Sequence, residues 1–426
     1  ARCIASLRQL DYPKYEVVIA ADASSLELLT HTFASLPIKS VEVNEANISL
    51  TRNAGLDLAA GELVAFIDDD AVAEPLWLLH HARAFQSFEI SATVGFVRGR
   101  NGISYQSSVT SVDAEGETHR EPSGDGRSFV PNLSKGRALK LIGTNCVVRR
   151  KCLDALGGFD PAYRFFHDDT DLSMRLWQSG RAAAAVPLAQ VHHAFAPSVR
   201  RTRLRSPRDL TEIGRSTAIF AHRYRGAPPD EIQDRLFERE RDRLIAHMVN
   251  GTCEPRDVGR SMDTLAQGWR EGAVLFPQKP EPRFYEQRQF QAVPVQNGDH
   301  FVITGRFFQR RKDIRYARAL VQSGNKVSIL SFSLTILRHH VRYIQPGIWL
   351  QTGGQFGRSV RSTQRYRWCR FADRVKEEIR RVALVLGIGE GAASLDGHGT
   401  QSTCDNRKRA ALGAGGQKSY GTKGQP

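Results

Sequence analysis

Apolar residues in the first hundred positions come in short blocks whose period switches between that of a strand and that of a helix. Glu16-Val17-Val18-Ile19-Ala20 reads as a strand running into the turn-rich Ala21-Asp22-Ala23-Ser24, where Ser24 or Ser25 can start a helix by accepting from a free backbone N–H. Val41-Glu42-Val43 is a second short strand. From Ser49 to Ala60, Leu50, Ala54 and Leu58 share one helical face, and Gly61 stands where such a helix stops. Leu63-Val64-Ala65-Phe66-Ile67 is a third strand. Alternation at this spacing predicts an α/β fold, a Rossmann-type, mostly parallel sheet with flanking helices.

Farther along, Thr93-Val94-Gly95-Phe96-Val97-Arg98 has the pattern of another strand, and the polar, glycine-rich stretch 116–136 reads as an excursion from the sheet. Order returns at Ile142-Gly143-Thr144-Asn145-Cys146-Val147-Val148. Residues 230–243 are charged and helical in pattern, whereas 276–294 carry Pro277, Pro280, Pro282 and Pro294. A second strand–helix–strand unit then follows: His300 to Thr304, a helix around Ile314 to Gln322, Gly324 as its stop, and Lys326 to Leu330. Beyond Gly387 the composition turns to Gly, Ser, Thr, Gln and Lys, which cannot sustain a core. The expected organisation is an α/β domain over 1–230, a helical and proline-rich linker over 231–297, a second, partial α/β unit over 298–386, and a disordered tail over 387–426. Gly387-Ile388-Gly389-Glu390-Gly391 imitates a dinucleotide-binding turn but has no patterned helix behind it.

Composition is that of a globular chain, with 41% hydrophobic and 25% charged residues among 426. No apolar run reaches the ~18 residues of a membrane span, and the start has no signal-peptide pattern. Six cysteines without a CxxC pair argue against a zinc ribbon or disulfide framework and for reduced thiols in a cytoplasmic protein. A net charge of +15 favours an anionic partner without choosing among nucleic acid, lipid and nucleotide phosphates.

Asp68, Asp69 and Asp70 end the third strand. Three like charges at a strand's carboxyl end are either a solvated terminus or a site for a cation or phosphate ligand, the crevice there being where open α/β sheets bind. Other pieces stand in a fixed order around the triplet: Asp22 in its turn, Arg52-Asn53-Ala54-Gly55, Gly61-Glu62 before the third strand, Gly143-Thr144-Asn145, the run Arg149-Arg150-Lys151, Gly157-Gly158-Phe159-Asp160, and Phe166-His167-Asp168-Asp169-Thr170-Asp171-Leu172. Together they resemble the inverting, DxD-containing glycosyltransferases of family 2, with the GT-A fold, over about residues 1–230. By that resemblance the chain opens at the helix that follows the family's first strand, as an N-terminally truncated member.

The resemblance implies a sugar moved from a nucleotide-diphosphate donor to a hydroxyl of a saccharide or lipid-linked acceptor, in surface polysaccharide or glycolipid synthesis. Mn²⁺ or Mg²⁺ would neutralise the leaving group. Asp70 would touch the metal, Asp68 the ribose or the metal, and Asp69 would point elsewhere. Asp169 would be the base that takes the acceptor's proton, although Asp168 stands where the family usually has Glu; the plainer alternative is an acidic first turn favoured by the helix dipole. Asp22 would bind the nucleotide base, or be a plain turn residue. Arg52 would bind the nucleotide or its phosphates, or be solvated. Of His192 and His193, which point opposite ways on a strand, His193 is preferred as metal ligand over a structural role. The arginines between Arg200 and Arg208 would close over the diphosphate or meet anionic lipid headgroups, giving peripheral contact with the cytoplasmic face of a membrane. The Gln-x-x-Arg-Trp motif of the processive synthases is missing. Rival readings are a sugar-nucleotidyltransferase and a basic nucleic-acid-binding protein; the absence of aromatics among Arg200 to Arg208 speaks against the second.

Overall fold

The computed structural model describes residues 1–193, 202, 204, 206–226, 230–276, 278–283, 288–296, 298–388 and 394–396. Arg200, Arg201, Arg203 and Arg205 lie outside the described residues, as does the expected tail apart from 387, 388 and 394–396.

The strand and helix blocks of the sequence become α1 (Arg2–Leu7), β1 (Val17–Ala21), α2 (Ala23–Thr32), β2 (Ile38–Glu42), α3 (Ile48–Leu58) and β3 (Leu63–Phe66). β1 and β2 run parallel, Val17 opposite Ile38. Asn47 starts α3, its side chain accepting from the backbone N–H of Ser49 at 3.1 Å and of Leu50 at 3.2 Å, and the helix ends at Leu58, ahead of Gly61. Asp22 itself, rather than Ser24 or Ser25, caps α2.

Next come β4 (Ala71–Ala73), α4 (Trp77–Ser87), β5 (Ala92–Arg98), β6 (Tyr105–Ser107), β7 (Thr110–Val112), β8 (Thr118–Arg120), β9 (Ala138–Leu139), β10 (Cys146–Arg149), α5 (Arg150–Leu156), α6 (Asp168–Gln178) and β11 (Ala183–His193). A six-stranded sheet is built in the order β3-β10-β5-β11-β4, with β6 on β5. β5 and β11 are parallel, while β10 lies antiparallel between β3 and β5, and β4 antiparallel to β11. The polar excursion contributes β8 to a three-stranded sheet with β7 and β9. Both faces of the main sheet are covered: Ile4 and Leu7 of α1 and Trp77 and Phe85 of α4 pack with Val97, Val186 and Val191 on one side. Leu56, Leu153 and Leu172 from α3, α5 and α6 pack with Phe66, Val94 and Val148 on the other. Each such side chain gains about 1.5–3 kcal/mol by leaving water.

α7 (Thr211–Arg225), α8 (Asp230–Val249) and α9 (Pro255–Ala273) follow. α7 and α9 approach so closely at Gly214, Gly268 and Gly272 that a Cβ on Gly268 would stand 1.9 Å from the Thr211 carbonyl oxygen. The proline-rich stretch after α9 is fastened along the first sheet: buried Val293 donates its N–H to Tyr15 O at 2.9 Å, and Arg283 reaches Asp57 at 2.9 Å.

The second α/β unit consists of β12 (His300–Arg306), α10 (Arg310–Gln322), β13 (Lys326–Ser333), β14 (His340–Ile344), β15 (Ile348–Gly354), α11 (Phe371–Leu386) and β16 (Ser394–Asp396), in the sheet order β14-β15-β13-β12-β16. All but β14 are mutually parallel. It packs directly on the first part. Val72 of β4 shares a buried cluster with Phe332, Trp349 and Leu386, and the Gln9 amide donates to Gly347 O at 2.8 Å. Among the described residues no helix is long and apolar enough to cross a membrane.

Candidate active site

β3 ends one residue before Ile67, and the aspartates that follow are not extended: Ala71 N–H returns to Asp68 O at 3.0 Å. This turn, rather than the alternation of a strand, brings Asp68 and Asp70 to one side and leaves Asp69 exposed. β11 ends alongside, paired with β4, so that His193 lies opposite Ala71. His193 Nε2 is 2.8 Å from Asp70 Oδ1, and the Gln106 amide nitrogen lies 3.3 Å from the other ring nitrogen. Ligand atoms of Asp68, Asp70 and His193 all fall within 4.8 Å of one another. Two carboxylate oxygens and an imidazole nitrogen are a donor set suited to Mg²⁺ or Mn²⁺.

His192 points the other way. Its Nε2 meets Glu74 Oε1 at 2.7 Å, its ring lies 4.8 Å from that of Trp349, and burial lowers its pKa.

Arg52, on α3, is buried rather than solvated. Its guanidinium pairs with Asp168 and lies 3.3 Å from Asp68 Oδ1, over the Phe159 ring. Burial pushes the Asp168 carboxyl up against the pull of Arg52, with Asp169 and Asp68 adding to the rise. Asp169, one residue on, is only partly buried. Its Oδ2 accepts from the Gly143 N–H at 3.0 Å and its Oδ1 from the Thr170 hydroxyl at 3.2 Å. Asp168, Asp169 and Asp171 all stand in the first turn of α6, where the helix dipole favours them. Asp171 is an anchor, fully buried between Arg175 at 2.7 Å and Arg223 at 2.6 Å.

The segment 143–145 connects these groups. Gly143 holds Asp169 through its N–H, Thr144 donates its hydroxyl to Asp68, and the Asn145 amide donates to Phe96 O and Ala189 O, both at 2.9 Å. A Cβ on Gly143 would stand 2.1 Å from Arg52 Nη2, so glycine is what lets the guanidinium lie there. The sequence pointed to Gly143-Thr144-Asn145 as a motif without giving these residues a role, and it left Gln106 unnamed. Asp22, by contrast, is occupied in capping α2: it accepts from Ser25 N at 3.0 Å and from the hydroxyls of Ser24 and Ser25 at 2.5 and 2.8 Å. These bonds lower its pKa to about 2.

Two recesses lie elsewhere. One of about 500 Å³ is bounded by Leu50, Asp57, Phe159 and Arg283, and one of about 30 Å³ by Glu74, His192 and Trp349. Neither is lined by Asp68, Asp70 or Asp169.

Residues 1–157 match the family described as Glycosyl transferase family 2. Among curated proteins, the chain is 26% identical over 204 residues to the succinoglycan biosynthesis protein ExoM of Rhizobium meliloti (strain 1021), covering 45% of this chain and 60% of that protein. The chain thus spans less than two thirds of the curated relative it matches. Among solved structures, S. aureus TarS 1-349 in complex with UDP-GlcNAc is similar at 19% identity and a TM-score of 0.36, covering 52% of this chain and 62% of that one. GalNAc-T7 with UDP, GalNAc and Mn²⁺ is similar at 17% identity and a TM-score of 0.34, covering 42% and 38%.

Proposed function

Residues 1–157 being a glycosyl transferase family 2 region, we propose that the protein moves a sugar from a nucleotide-diphosphate sugar to an acceptor hydroxyl, with inversion, in polysaccharide synthesis. The observation that carries this reading is the pair of adjacent residues Gly143 and Thr144, which hold Asp169 and Asp68 side by side. One carboxylate then faces the acceptor and the other the donor.

Asp169 accepts the proton of the acceptor hydroxyl. It is free for that task because Arg52 is taken up by Asp168, and the N–H of Gly143 orients the carboxylate. Asp68, fixed by Thr144 and Arg52, orients the donor. Asp68, Asp70 and His193 would hold a divalent cation, which when bound supplies positive charge to the diphosphate leaving group.

The test is release of nucleoside diphosphate from a panel of nucleotide sugars in the presence of Mn²⁺, by the intact protein, Asp70→Ala and Asp169→Asn. Turnover should fall in both variants, on the order of 10²–10⁴-fold for Asp169→Asn. Equal rates in all three would refute the assignment of both residues.

A further inference from the structure

β12, β13 and β15 are parallel neighbours, so the loops that follow them emerge at one end of the second sheet. Those loops carry a concentration of exposed apolar side chains: Phe307 and Phe308 are 56% and 69% exposed, Leu334, Ile336 and Leu337 are 67%, 61% and 63%, and Trp368 is 74%. Their backbones are joined. Arg306, the residue before Phe307, stands opposite Phe332 in the ladder. Phe356 N–H donates to Thr335 O at 3.1 Å, Gly354 N–H to Leu337 O at 2.8 Å, and the Phe356 and Trp368 rings stack 4.5 Å apart. Packing gives no reason for three aliphatic side chains at the tip of a loop, and scattered exposure does not account for six large residues at one end of a sheet.

The charge around them is predominantly positive, the exposed Glu377 of α11 being paired with Arg367. Between Asp313 and Asp373 the chain has no Asp or Glu but ten Lys and Arg, among them the exposed Arg338, Arg365 and Arg370. Arg310, Arg311 and Lys312 add to the same end from the first turn of α10. Apolar side chains able to enter an acyl layer, ringed by guanidinium groups able to meet phosphates, are the chemistry of a bilayer interface.

We infer that this end of the second sheet docks on an anionic phospholipid bilayer, with Leu334, Ile336, Leu337, Phe307, Phe308 and Trp368 inserted at the headgroup level and the arginines on lipid phosphates. Single-stranded nucleic acid would use the alternation Arg365-Tyr366-Arg367-Trp368, but it has no use for Leu334, Ile336 and Leu337. The surface is separate from Asp68 and Asp169, and its assignment does not depend on the transfer reaction.

The experiment is co-sedimentation of the full chain with vesicles of phosphatidylcholine alone and of phosphatidylcholine mixed with phosphatidylglycerol, across a salt series. Binding should be confined to the anionic vesicles and weaken with salt. The triple variant L334S/I336S/L337S should lose at least about tenfold in partitioning, with an unchanged melting temperature because these side chains are exposed. R338E/R365E/R370E should abolish the preference for phosphatidylglycerol, at roughly fivefold per residue. Tryptophan emission should shift to the blue on anionic vesicles in the native chain and much less in Trp368→Phe. The inference is overturned by absence of binding, by a serine variant that binds as tightly as the native chain, by single-stranded oligonucleotide outcompeting the vesicles, or by self-association that the serine substitutions remove.

Discussion

Two neighbouring carboxylates at the start of α6 differ in what surrounds them, and that difference is measurable. Asp168 is buried and is one of two carboxylates paired with Arg52, so Asp168→Asn leaves the guanidinium with Asp68 alone and should cost about 3 kcal/mol in urea unfolding. Asp169 is partly open and its carboxylate accepts from Gly143 and Thr170 with no buried ion pair among the described residues, so Asp169→Asn should leave the urea midpoint nearly unchanged while removing turnover. If the two variants lose stability and activity in the same proportion, the division of roles is wrong. Thr144→Val keeps shape but removes the hydroxyl that holds Asp68; donor affinity should weaken by about tenfold, read as a rise in KM at constant melting temperature. The acidic pattern and its order were visible in the sequence because they are contiguous. The partners were not, since Arg52 meets Asp168 across 116 positions and Thr144 meets Asp68 across 76, separations that no local pattern encodes.

Among the elements, strand and helix identity followed from periodicity, while ends and pairings did not. β3 stops at Phe66, one residue short of the expected end, where its pairing with Cys146 of β10 ends, and the aspartates that follow close a turn from Asp68 O to Ala71 N–H. The antiparallel β10 was legible as a strand, but its place between β3 and β5 depends on long-range register. The seam of α7 and α9 was not legible at all, because a glycine in a helix pattern looks like a weak position rather than a contact. It can be tested within one helix. Gly268→Ala puts a methyl into the Thr211 carbonyl and should destabilise by roughly 1–3 kcal/mol. Gly259→Ala, on the same helix with nothing within 4 Å of its Cβ, should stabilise by up to about 1 kcal/mol. Equal melting temperatures for the pair would refute a close seam. The seam bears on the site because α7 supplies Arg223 to Asp160 and Asp171, which fixes the base of α6.

For the molecule as a whole, buried neutral histidines set the response to acid. Burial lowers the pKa of His81, His300 and His339 to about 4. In the unfolded chain each takes up a proton near pH 6.5, so below that pH the unfolded state binds more protons and stability falls as pH falls. Glu378, held at about 2 chiefly by Arg381 against its own burial, adds a second loss below the ordinary Glu range. The melting temperature should therefore be flat above pH 7, decline from about pH 6.5 to 4 and drop further below it; a constant value from pH 7 to 4.5 would contradict these burials.

The two strand–helix blocks were readable from their periodicity, and the contact between their sheets was not, since it rests on single residues such as Val72 and Trp349. That contact reaches the site from behind. Trp349 packs on His192, and the next residue along the strand is His193. The C-terminal unit follows the first in chain order but forms the back wall of the strand that carries His193. Altering that unit would therefore shift His193 against Asp70 without touching either residue, and an N-terminal fragment prepared by itself would carry Asp68, Asp70 and His193 with His193 on an unsupported strand.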